Sequence, residues 1–191
     1  TTVLEGNLRK LRGRQNVKIV CMDLSSPFRN LVQRLFPHAK IVADRFHVIR
    51  LIIDTFHEFC KAADPEIKWK RGITCAMRTK GANLRPTQRQ LLEKEFARHP
   101  AIQTAYEFKE ELCSLLSIKE RKRANCIPLL EKLKEMVWQM LHEAPEIFKK
   151  LGRTIRQWFE PIIRMWRFTK SNGITEGFHR KMKLIQRRAY G

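Results

Sequence analysis

Hydrophobic positions follow two different rhythms along the chain. Val17 to Asp23 (VKIVCMD) is a short β-branched run between Asn16 and the Ser25-Ser26-Pro27 turn, and Ala39 to Asp44 (AKIVAD) is a second run of the same type. Short apolar runs bounded by breakers read as buried strands. Both runs end in an aspartate. Between them Ser26 offers a hydroxyl cap and Pro27 a first helical residue, which predicts a helix from about Pro27 to Phe36, stopped at Pro37. Two buried strands joined by a helix predict a parallel βαβ unit. Val3 and Leu4 read as the tail of a further strand, followed by a basic helix around Leu8 to Arg14.

After Asp44 the period lengthens. Phe46, Ile49, Ile52 and Ile53, Phe56, and Phe59 and Cys60 recur at helical spacing. No strand pattern follows before about Phe168. Helices are predicted near Glu66–Arg78, Thr87–Arg98, Ala101–Ser117, Lys119–Glu143 and Glu146–Met165, with Thr79–Pro86 as a basic loop. Pro100 and Pro145 stand at helix starts, and Pro128 is read as a break or kink. In the tail, Ser171-Asn172-Gly173 is a turn and cap signal. The helix predicted after it, to about Arg188, carries Ile174, Phe178, Met182 and Ile185 on one face and Glu176, Arg180, Lys183 and Arg187 on another.

Composition narrows the partner. Of 191 residues, 43% are hydrophobic and 30% charged, which excludes a disordered or collagenous chain. Lys and Arg number 39 against 19 Asp and Glu, a formal charge of +20 that calls for a polyanion, either nucleic acid or an anionic membrane surface. The membrane reading is the weaker one, because the helices carry core patterns and no dominant basic amphipathic face. No apolar stretch approaches the roughly 20 residues needed to span a bilayer. The sequence begins at Thr1 with no signal-peptide pattern and reads as an interior piece of a longer protein. Five scattered cysteines with no CxxC pair argue against a structural zinc site and a disulfide framework, and for a reducing cytoplasm.

Few residues stand out as candidate chemistry. Asp23 ends a buried strand, where open α/β sheets bind ligands, yet an acid there also serves as a turn former beside Ser25 and Ser26. Asp44 and His47, three residues apart at a helix start, are either a ligand pair or a helix cap with a neighbour; the cap is the commoner arrangement. Glu176 among Arg180, Lys183 and Arg187 is either an ion-pair partner on a solvated face or a metal-binding carboxylate flanked by phosphate contacts. His38, His57, His99 and His142 show no partner pattern and read as surface or satisfied side chains. The tryptophans Trp69, Trp138, Trp158 and Trp166 read as core or inter-helix packing.

The succession VCMDLSSPFRNLVQRLFPHAKIVADRFHVIR, then a long helical stretch, then KSNGITEGFHRKMKLIQRRAYG, resembles the DDE transposases of bacterial insertion sequences, and among them the L-three insertion-sequence family. The blocks that carry the resemblance occur in order over nearly the whole chain: the acid-ended strand, FP-A-IV-D-FHV, and SNG-EG with a basic tail ending RRAYG. It departs at His179, where the family's pattern has Asn three residues after the glutamate.

The resemblance implies an α/β, mostly helical fold: part of a ribonuclease H-like core holding a large all-helical insertion. The core's first part is then residues 1–45, the insertion 46–168, and the return to the core 169–191. Asp23 matches the second catalytic aspartate and Glu176 the catalytic glutamate, 153 residues apart, both as metal ligands. The first catalytic aspartate is expected on a strand upstream of Thr1. Asp44 and His47 match a supporting D-x-F-H block, and Arg180, Lys183 and Arg187 are expected DNA contacts. The implied activity is metal-dependent DNA strand cleavage and strand transfer with Mg2+ (or Mn2+), on transposon ends and target DNA. A homo-oligomer on DNA, in the bacterial cytoplasm with the nucleoid, goes with it. The fragment alone is expected to be inactive. The alternative is a non-catalytic DNA-binding helical module of a decayed or repurposed transposase.

Overall fold

The computed structural model describes residues 2–168, 181–185 and 187–188. Strand β1 (Ile19–Met22) leads through helix α2 (Ser26–Leu35) to strand β2 (Lys40–Ala43). The strands pair in parallel with Ile19 opposite Lys40 and Met22 opposite Ala43, as a right-sized crossover helix requires. The ladder runs one step further, since the Asp44 N–H donates to the Met22 carbonyl at 2.6 Å. The strands are each shorter than the sequence reading, because flanking residues leave the ladder at the breakers. Ser25, rather than Ser26, is the cap position of α2.

The chain before β1 is a correction. Val3 and Leu4 lie in helix α1 (Thr2–Arg9), not in a strand. They are 81% and 42% exposed, so no sheet buries them. Helix α1 is held from its polar side instead: Glu5 accepts from Arg9 one turn on at 2.7 Å and from Arg34 of α2 at 3.2 Å. The basic helix expected to Arg14 stops at Arg9. Gly13 then turns the chain at φ 74°, a left-handed conformation glycine adopts without steric cost, into a 3-10 turn at Arg14–Asn16.

Beyond the sheet the described chain is helical. Helix α3 (Arg45–Ala63) is its axis. Val48, Ile52, Phe56 and Cys60, each one turn apart, are all at most 1% exposed. Phe46, the first residue of the expected apolar stripe, is 48% exposed, so the buried stripe is rotated from the one anticipated. Helix α6 (Pro100–Ser117), α8 (Glu146–Gln157) and α9 (Phe159–Arg167) pack on α3, and α9 also covers β2. Arg164 of α9 donates to the Ile41 carbonyl at 3.1 Å and so occupies part of the outer edge of β2.

Two expected helices divide, Glu66–Arg78 and Glu146–Met165, and a third, Lys119–Glu143, is shortened. A 3-10 stretch (Pro65–Trp69) precedes α4 (Arg71–Arg78), and α5 (Pro86–Arg98) follows the Thr79–Pro86 loop. Residues 118–125 are not helical; α7 spans only Cys126–His142. That loop is pinned by the Glu120 N–H on the Trp166 carbonyl at 2.8 Å, while the Trp166 indole donates to the Leu115 carbonyl at 2.9 Å. Pro128 neither breaks nor kinks α7 but lies in its first turn, where the missing N–H has no intrahelical acceptor to lose. Pro161 instead separates α8 from α9. It cannot donate to the Gln157 carbonyl, and Arg29 takes that carbonyl at 3.0 Å with its guanidinium 4.9 Å over the Trp158 ring. Trp158 and Trp166 are core residues at 1% exposure, as expected of tryptophan, but Trp138 is 53% exposed and stacks on His142.

Candidate functional site

The carboxyl ends of β1 and β2 form one edge. Met22 and Ala43 are register partners, so the next residues, Asp23 and Asp44, stand side by side where the strands stop. Ile41, Val42 and Ala43 are buried in succession, so both faces of β2 are covered. The two acids have different environments. Asp23 is half-buried. Asp44 is 1% exposed, and both its oxygens are engaged: Oδ1 accepts the Phe46 N–H at 3.2 Å and Oδ2 lies 3.0 Å from His47 Nδ1.

Asp44 is therefore a helix cap and an imidazole holder at once. A carboxylate that accepts from Nδ1 fixes the ring's tautomer and leaves Nε2 to act outward. His47 is 37% exposed, so its free edge reaches solvent. The neighbouring Arg45, which the sequence reading passed over, locks the start of α3 to the far end of the chain. It donates to the Met165 carbonyl at 2.7 Å and the Ile118 carbonyl at 3.2 Å. The only advance signal was a cation inside D-x-F-H. In β1, burial and then the Asp44 charge push the Cys21 thiol up to about 11, so it stays protonated and unreactive near neutrality.

Glu176, His179 and Arg180 lie outside the described residues, as do Ile174 and Phe178 of the expected apolar face. Lys183 and Arg187 are on helical residues and exposed. Met182 and Ile185, expected to anchor that helix, are 55% and 64% exposed, so they are not seated against the described core. The structure thus brings Asp23, Asp44 and His47 together and presents Lys183 and Arg187 to solvent.

Two histidines depart from expectation. His57 is 3% exposed; Arg78 Nε donates to its Nε2 at 3.1 Å, and its Nδ1 has no partner. Burial first, then the charges of Arg78 and Lys61, push its pKa down to about 4. His99 gathers with Asp64 and Glu95, their ligand atoms all within 4.8 Å of one another. Glu95 and His99 are one turn apart on the last turn of α5 and its cap, a spacing visible in the sequence. Asp64, 31 residues earlier, is brought in by the fold alone. Lys70 Nζ lies 3.2 Å from Asp64 Oδ2. The Glu66 N–H and then Lys70 hold the Asp64 carboxyl below its ordinary value, and Asp64 holds Lys70 above its own.

No curated protein and no solved structure matches the chain. The model of a family described as a transposase, that of the DDE transposases of the L-three insertion-sequence type, matches residues 2–191. With a match of that extent, and with an acid-ended parallel strand pair leading into a helical region, the chain belongs to the DDE transposases of the L-three insertion-sequence family.

Proposed function

We propose that this chain is the catalytic region of a DNA transposase that cuts and joins DNA strands with divalent metal, on a ribonuclease H-like core interrupted by the helical insertion. The observation that carries the reading is the edge where Asp23 and Asp44 end adjacent parallel strands. Open α/β sheets bind their ligands at that end. Asp23, half-buried, offers the hard oxygen that Mg2+ prefers, whereas both Asp44 oxygens are already engaged. Asp23 and Glu176 are the metal ligands and catalytic carboxylates. Asp44 and His47 support the edge from beneath: Asp44 caps α3 and orients the imidazole. Bound divalent metal would activate a water or a DNA 3′-hydroxyl and stabilise charge on the phosphate.

The sheet itself supports a larger core. Among the described residues β1 pairs with β2 alone, and a two-stranded sheet is marginal by itself. Arg164 and α9 cover the β2 side, while Ile19 of β1 is 38% exposed. An added strand bearing the first catalytic aspartate therefore fits beside β1, next to Asp23. Lys183 and Arg187, exposed and basic, suit phosphate contacts, with Arg180 on the same expected face. A divalent metal, DNA ends and target, a multimer on the paired ends, and the nucleoid as the place of action follow from this reading.

The test uses the full-length protein on DNA carrying the element's ends. Glu176→Gln or Asp23→Asn is expected to abolish cleavage in Mg2+ with DNA affinity retained. Lys183→Ala with Arg187→Ala is expected to weaken binding and flatten its salt slope by about one unit per lost phosphate contact. Cleavage that survives in both acid variants, with salt-dependent binding intact, would instead establish the non-catalytic DNA-binding module.

A further inference from the structure

We propose that Asp64, Glu95 and His99 form a binding site for a first-row transition-metal cation, Zn2+ foremost, that ties the end of α3 to the end of α5. Three ligand atoms, one from each residue, already lie within 4.8 Å of one another. His99 Nε2 is 3.8 Å from Asp64 Oδ2 and 3.8 Å from Glu95 Oε1. Ligands on a tetrahedral Zn2+ at roughly 2.0–2.1 Å are about 3.3–3.5 Å apart, so His99 needs to close on each carboxylate by about 0.4 Å and the two carboxylates on each other by at most about 1.5 Å.

An independent feature points to a ligand. Glu95 is 2% exposed, and its Oε1, the atom facing His99, has no hydrogen-bond partner. A buried carboxylate oxygen without a partner is costly, and a cation set against it removes that cost. Lys70 supplies part of the charge: its Nζ lies 3.2 Å from Asp64 Oδ2 and 3.7 Å from Glu95 Oε2. Lys70 is the ammonium in contact with the two carboxylates, and the charge of Arg98 opposes it there. The Lys70 side chain is 30% exposed, so its ammonium can swing into water when a divalent ion enters.

The donor set selects the ion. Two carboxylates and an imidazole suit Zn2+ and its neighbours, whereas Mg2+ takes oxygen ligands and keeps its waters. The backbone already holds the frame. Asp64 caps the Pro65–Trp69 turn through the Glu66 N–H at 2.9 Å, and the His99 N–H bonds the Glu95 carbonyl at 2.9 Å. The ion's effect would be structural, adding a direct tie between the end of α3 and the end of α5 to the polar bridge that Lys70 makes between Asp64 and Glu95.

The test is titration of the chain with Zn2+, and separately Co2+, in millimolar Mg2+, with Asp23→Asn as the background so that the sheet edge does not contribute. One saturating equivalent is expected, with a Co2+ spectrum free of thiolate charge-transfer bands, since none of the five cysteines belongs to the site. His99→Ala and Asp64→Asn should each weaken binding at least tenfold. Lys70→Met should tighten it. Zn2+ at a hundredfold excess over its Kd should raise Tm by roughly 5–10 °C, and Mg2+ should not. His99→Ala is the mildest change, because its side chain is 35% exposed, and its Tm in EDTA verifies folding. No saturable Zn2+ binding, a thiolate Co2+ signature, or binding that a folded His99→Ala variant retains would each overturn the proposal.

Discussion

At the scale of single residues, the helical region buries ionisable side chains in contrasting surroundings. Lys109 is 2% exposed, donates to the Met77 carbonyl at 3.0 Å, pairs with Glu110 at 2.6 Å and lies 4.0 Å from the centre of the Tyr106 ring. A carbonyl, a carboxylate and an aromatic face thus surround its buried ammonium. His57 is the opposite case. Burial and the cations Arg78, Lys61 and Lys109 outweigh Asp54, so its folded pKa sits at about 4 against the ordinary 6.5. The unfolded chain therefore takes up this proton first. Stability is fully present above about pH 6.5 and falls as the pH drops towards 4, by on the order of 3 kcal/mol if this group acted alone. Urea unfolding of the wild type and of His57→Gln across that window measures it. The wild type is expected to lose stability more steeply on acidification, and parallel profiles would contradict this account of His57.

At the scale of elements, close helix approach is set by residue size. A Cβ placed on Gly152 of α8 would stand 3.0 Å from Met140 Cβ and 3.3 Å from two Leu141 atoms of α7. Alanine favours a helix over glycine by roughly 1 kcal/mol, but overpacking a tight contact costs about 1–3 kcal/mol. Gly152→Ala is expected to destabilise by about 1 kcal/mol, read as a lowered Tm; a raised Tm would show that α7 and α8 part without cost. The βαβ unit was legible in the sequence because both its strands are apolar runs closed by Asp and bounded by breakers. The joins between helices were not. The loop at residues 118–125 is charged and lacks Gly or Pro, and what holds it out of a helix comes largely from distant chain: the Trp166 carbonyl takes the Glu120 N–H, and Arg45 and Arg167 take the Ile118 and Arg121 carbonyls. Val3 and Leu4 form no strand because two apolar residues, one of them β-branched, are a weak signal, and α1 is fixed by Glu5 to Arg34 across 29 residues. Of the site, Asp23, Asp44 and His47 could be named from their spacing, but the engagement of both Asp44 oxygens required the fold. The cluster at Asp64 escaped notice because its third member is distant in sequence.

At the scale of the whole molecule, a formal charge of +20 rides on a scaffold whose acid-ended sheet is small and whose helical mass is large. Packing puts α3 between the two: its first residues leave the sheet at Asp44 and its buried stripe meets α6 and α8. Arg45 then fastens the same corner to Ile118 and Met165, so the sheet edge is braced by chain that lies 73 and 120 residues away. Such bracing is what an active site needs if its carboxylates are to hold a metal without relaxing. The catalytic assignment stands or falls on whether Glu176 lies at that edge. The direct measurement is the separation of the Asp23 and Glu176 carboxylates in an experimental structure of the full-length protein loaded with Mn2+, whose anomalous signal locates the metal. The expected result is metal between the two, with carboxyl groups about 4–8 Å apart, the reach of a two-metal site. Carboxylates more than about 15 Å apart, with metal bound to neither, would contradict the catalytic assignment.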